Sequence, residues 1–145
     1  MTLMRILESV HGHFGILFVI ALVHPAILLR RGQPMSRGVK WSVSLTTLLA
    51  LIAFGMGVGI YESYRATVKR ELLFHRPEAA IVFEAKEHLA FVVLALALGA
   101  GIAAWIAPAD GVQIRRTASR VYAAAAILCF IVAAIGTSVA AVRGF

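Results

Sequence analysis

Four long apolar runs divide the chain, and polar or turn-forming residues separate them. The first covers residues 14–29 and extends to a helix of about 5–30 if the preceding stretch continues it, more than the roughly 20 residues a bilayer requires. Pro25 lies near its far end, where a kink is expected. The second run, residues 41–61, contains no charge. A polar connection follows over about 62–83, with Pro77 as its one strong breaker, and helices are expected to protrude on either side of that proline. A third span of about 84–106 and a fourth of about 120–142 are separated by Ala107-Pro108-Ala109-Asp110-Gly111, a turn sequence. The pattern predicts an all-α protein. Its expected form is a single transmembrane domain over 1–145, an integral membrane four-helix bundle with both termini on the same side.

Composition leads to the same solvent. Of 145 residues, 61% are hydrophobic and 14% charged, against about 45–50% and about 25% in soluble domains. A soluble fold cannot hide that excess, so the lipid bilayer is the expected partner. The formal charge of +7 is distributed over the connections between apolar runs, which argues for membrane-flanking cations and against nucleic acid. The single thiol, Cys129, lies in an apolar run and reads as a core residue. The first run carries Glu8, His11, His13 and His24 and ends in Arg30-Arg31 in place of a small-residue cleavage site, so it reads as a retained helix and not a leader.

Four crossings place the termini and the 62–83 connection on one side, A, and the two shorter connections on the other, B. The cations then divide evenly: Arg5, Arg65, Lys69, Arg70, Arg76, Lys86 and Arg143 on A, and Arg30, Arg31, Arg37, Lys40, Arg115, Arg116 and Arg120 on B. The short B loops and their paired arginines favour B as cytoplasmic, with the termini on the non-cytoplasmic side of a bacterial inner membrane. Acids are lopsided. Glu8, Glu62, Glu71, Glu78, Glu84 and Glu87 all fall on A, with Asp110 alone on B. His11, His13, His75 and His88 fall on A as well, so candidate chemistry gathers at one face.

A histidine inside a span is costly unless it is partnered, which makes it a candidate for function. His13 and His24 lie about 20° apart around the first helix and about 16 Å apart along it. Glu84, Glu87 and His88 share a stripe with Ala95 and Gly99, and small residues admit a close neighbour. Gly55, Gly57, Gly59 and Gly136 fall in the same A-side half and could leave room for a flat group. The plainer reading of each histidine is an interfacial imidazole bonded to backbone or glutamate.

Two neutral imidazoles at equal depth on facing helices are the axial ligands of a b-type haem. In His13 and His24 on one helix and His88 opening another, the chain resembles the small four-helix membrane cytochromes b. That resemblance implies haem b bound by His88 and His13, with His11 as a substitute ligand, His24 as a second-site ligand, a proton-handling group or a quinone contact, and cations such as Arg5 and Lys86 near the propionates. Two-haem members repeat the histidine pair on a partner helix. Here the second and fourth spans lack histidine, so one haem is favoured over two.

A rival centre draws on the same side. Glu8 and His11 form a Glu-x-x-His, and Glu84, Glu87, His88 and Glu62 add carboxylates and an imidazole, as in di-iron or di-manganese bundles. The pattern departs from those bundles in two respects: the fourth span has no carboxylate, and Glu84 stands four residues from His88. A third reading is a cofactor-free subunit of a larger membrane complex. The expected function is a membrane electron-transfer subunit, with quinone or a redox protein as partner, more than a complete enzyme.

Overall fold

The computed structural model describes residues 3–142, so Arg143 lies outside the described residues. The chain forms helices α1 (Leu3–Leu29), α2 (Arg37–Tyr64), α3 (Arg70–His75), α4 (Pro77–Ile106) and α5 (Val112–Val142). A π-helical turn, Arg65–Lys69, joins α2 to α3 without a break. Among the described residues there is no strand. Four segments are long and apolar enough to cross a membrane: Leu3–Leu29, Arg37–His75, Pro77–Ile106 and Val112–Ala141. In the most apolar window of each, only 17–28% of residues are buried. Most of the apolar surface therefore points outward, an arrangement that suits a hydrocarbon surround and not water.

Local chemistry sets the helix limits. Ser36 caps α2, its hydroxyl accepting from the Val39 amide at 3.4 Å. Pro77 occupies the first turn of α4, where its missing N–H costs nothing. Gly32 turns the chain after α1 with φ 70°. A Cβ there would also lie 2.6 Å from Val112 Cγ1, so both backbone and space require glycine.

α1 packs on α2 and α5, and α4 packs on the same two helices, giving a four-helix bundle with α1 and α4 at opposite corners. Its core joins Phe18, Leu22 and Leu29 of α1 to Val43 of α2, and to small residues of α4 and α5 such as Ala97, Ala100, Ala118 and Ala125. Small side chains bring the backbones close, the usual basis of helix association in lipid. Hydroxyl groups bridge the seams: Thr46 donates to the Ala21 carbonyl at 2.9 Å, and Ser119 to the Ala26 carbonyl at 2.6 Å. A second core joins Val68, Leu72, Ala80, Phe83 and Val139, with Tyr64 stacked on Phe83 at 4.6 Å between ring centroids. The expected polar connection is thus a packed helical turn.

At the B end, the buried guanidinium of Arg115 holds the two connections together. Its Nε donates to the Gly32 carbonyl at 2.9 Å, Nη1 to the Pro108 carbonyl at 2.6 Å, and Nη2 to the Ala109 carbonyl at 2.9 Å.

Candidate functional site

The core stripe of α1, read back from Leu29 through Pro25, Leu22 and Phe18, continues through Gly15, His11 and Glu8 at steps of three and four. His11 is therefore the imidazole directed toward the bundle interior. It packs on Gly57 of α2, where a Cβ would come within 3.3 Å of its Cε1. From α4, Lys86 reaches in beneath α5: a Cβ on Gly136 would lie 3.4 Å from its Nζ, which sits 4.8 Å from the Phe83 ring centroid. Two of the glycines noted for clearance thus accommodate side chains of this chain.

Glu87 lies beside Lys86 and is half-buried. Lys69, from the π-helical turn, sits 2.8 Å from Glu84 Oε1 and 3.6 Å from Glu87 Oε2. Buried His11 Nδ1 and Glu87 Oε1 have no hydrogen-bond partner among the described residues. A cluster of ionisable groups from α1, the π-helical turn and α4 therefore lies toward the A end, and Gly57 of α2 and Gly136 of α5 leave room for His11 and Lys86. Such groups in a membrane domain are expensive to bury and mark function more often than packing.

His13 and His88 occupy exposed faces of α1 and α4. Each donates Nδ1–H to the carbonyl four residues back, His13 to Ser9 at 2.8 Å and His88 to Glu84 at 2.8 Å. A carbonyl can only accept, so the proton is on Nδ1 and the neutral ring keeps its lone pair on Nε2. That is the tautomer in which an imidazole ligates iron through Nε2 while a backbone carbonyl orients it. Of the stripe Glu84, Glu87, His88, Ala95 and Gly99, all but half-buried Glu87 are exposed, and a Cβ on Gly99, Gly55 or Gly59 meets nothing within 4 Å.

His24 lies at the edge of the α1–α2 seam, where its Nδ1 is 2.8 Å from the Ser42 hydroxyl. Of the cations expected near the propionates, Lys86 is turned inward and Arg5 is exposed; of the other A-side cations, Lys69 is engaged by glutamates and Arg65 is exposed. Glu62 is exposed and Glu8 half-buried. Among the described residues, no group of three or more His, Cys, Asp or Glu side chains is arranged to hold a metal ion. Sequence reasoning misses the inward turn of His11 and Lys86. A signal for His11 exists in the three- and four-residue steps that run back from Leu29.

No protein-family model, curated protein or solved structure matches this chain.

Proposed function

We propose that the chain is an integral membrane electron-transfer subunit carrying one b-type haem at its A end. It crosses the bilayer four times with both termini on that side, and exchanges electrons with quinone or a partner redox protein. The observation that supports this reading is the state of His88, whose Nδ1 is anchored to its own helix and whose Nε2 is left to ligate. His13 has the same anchoring, but the two stand on outer faces of helices at opposite corners and do not face each other as the expected ligand pair would. Both imidazoles lie on outer faces, so a haem ligated by His88 would sit against the bundle surface and need a neighbouring chain to cover it. This is why the reading is a subunit and not a self-sufficient enzyme. The haem, when bound, supplies one-electron chemistry. The chain supplies the ligand, and exposed Arg5 and Arg65 supply positive charge for propionates. His24, bonded to Ser42 nearer the B end, suits a quinone contact or proton-handling role.

A second reading is favoured by the buried, unpartnered His11 Nδ1 and Glu87 Oε1. It is a di-iron or di-manganese centre drawing on Glu8, His11, Glu62, Glu84 and Glu87. An oxidised-minus-reduced visible spectrum of the purified chain, alone and with its co-purifying partners, separates the possibilities. A Soret band and a sharp reduced α-band that vanish in His88→Ala are expected. A colourless preparation whose iron or manganese is lost in Glu84→Ala would replace haem with the metal centre, and absence of both colour and metal would leave a cofactor-free subunit.

A further inference from the structure

At the B end, a cleft of about 690 Å³ opens between the end of α1 and the start of α5, lined by Arg30, Arg31, Gln33, Arg116, Ser119 and Arg120. Four guanidinium groups converge there and no carboxylate lines the cleft. None of the four has an ion pair or a side-chain hydrogen bond among the described residues. Helix stability accounts for Arg30 and Arg31, since cations suit a helix C-terminus. It does not account for Arg116, which stands in the opening turns of α5, a helix with no acidic residue in its first turn. Cations there oppose the helix dipole, and bringing them to a second arginine pair adds repulsion. The buried Arg115 fixes the geometry by tying Gly32 to the turn before α5.

The surface below the cleft is apolar. Below the Arg30-Arg31 turn, the last turn of α1 exposes Ile27, and below Arg120 on α5 come exposed Ala123 and Ile127. Positive charge above a paired apolar strip matches an amphiphile that carries an anionic head. We propose that this cleft binds the phosphate of an anionic phospholipid, whose acyl chains lie along the outer faces of α1 and α5. A free phosphate shares the head chemistry but has no use for the strip. Basic recesses at the ends of membrane helices hold lipid head groups in this way.

Native mass spectrometry and thermal unfolding of the whole chain in non-ionic detergent test the assignment, with dioleoylphosphatidylglycerol, dioleoylphosphatidylcholine and inorganic phosphate as probes. Phosphatidylglycerol is expected to stay bound and raise the melting temperature, and its affinity should fall about tenfold or more in Arg31→Gln/Arg120→Gln. Arg37→Gln/Lys40→Gln removes the same charge from the same end outside the cleft and should keep the affinity. If the first variant does not fold, Arg30→Gln/Arg116→Gln serves the same purpose. Equal loss in the cleft and control variants, or equal retention of phosphatidylcholine, would overturn the site. Full stabilisation by inorganic phosphate would overturn its assignment to lipid.

Discussion

The Thr46 hydroxyl sits 2.9 Å from the Ala21 carbonyl, the acceptor that Pro25, four residues on and without an N–H, cannot serve. A residue of α2 thus completes the backbone of α1 where its own sequence leaves it open, as buried carbonyls in lipid require. Thr46→Val should lower stability by about 0.5–1.5 kcal/mol. In a Pro25→Ala background, where the restored backbone amide serves the Ala21 carbonyl, the same change should cost less. Thermal unfolding of the four proteins in a double-mutant cycle checks this, and additive effects would contradict it.

Arg115 makes three hydrogen bonds to carbonyls of two different connections. Arg115→Ala should cost about 3–5 kcal/mol, because it leaves buried acceptors without donors. Arg115→Lys should recover little, since an ammonium cannot reach three divergent acceptors as a planar fork does. The melting temperature and the folded fraction by size-exclusion chromatography in detergent are the readouts.

Gly99 and Gly101 of α4 point to opposite sides of their helix and should respond in opposite directions. A Cβ on Gly101 would lie 2.7 Å from Thr47 Oγ1 and 3.2 Å from the Tyr122 hydroxyl, whereas one on Gly99 meets nothing. Gly101→Ala is expected to destabilise by about 1–3 kcal/mol through overpacking. Gly99→Ala should be neutral or stabilise by up to about 1 kcal/mol through helix propensity. Parallel melting curves decide.

Lys86 points inward, and among the described residues no carboxylate lies within ion-pair distance of its Nζ. Replacing an unpaired interior cation with an apolar chain of similar length removes a desolvation cost. Lys86→Met should therefore hold or raise the melting temperature. A marked fall would show that the cation contributes to folding.

The helices are legible in the sequence because each apolar run is long, and the all-helical bundle follows from them. Their ends are less so. α5 begins at Val112, ahead of the expected 120, and although helices are expected on either side of Pro77, the packing of Ala80 and Phe83 on Val68, Leu72 and Val139 is not legible; hydropathy along one helix cannot register a partner so distant in sequence. The A-end gathering of histidine and glutamate is visible, but not which of them turn inward. His11 and His13 differ by two residues, about 200° around a helix, so an error in phase exchanges them. Arg115 reads in sequence only as a flanking charge, since its acceptors are carbonyls that no side-chain pattern announces.

From Trp105 to Pro77, α4 rises about 42 Å, against about 30 Å of hydrocarbon in a bilayer. A bilayer whose B interface lies at Trp105, an exposed aromatic of the kind found at membrane interfaces, would leave a surplus of about 12 Å, placing the first two turns of α4, α3 and the second core at headgroup height or above it. Set in a bilayer in that way, the molecule would be flush with the membrane at one end and raised into a small pier at the other. A water-soluble protein docking on side A would then meet a folded landing that includes Lys69 and Glu84, without having to dip into the lipid.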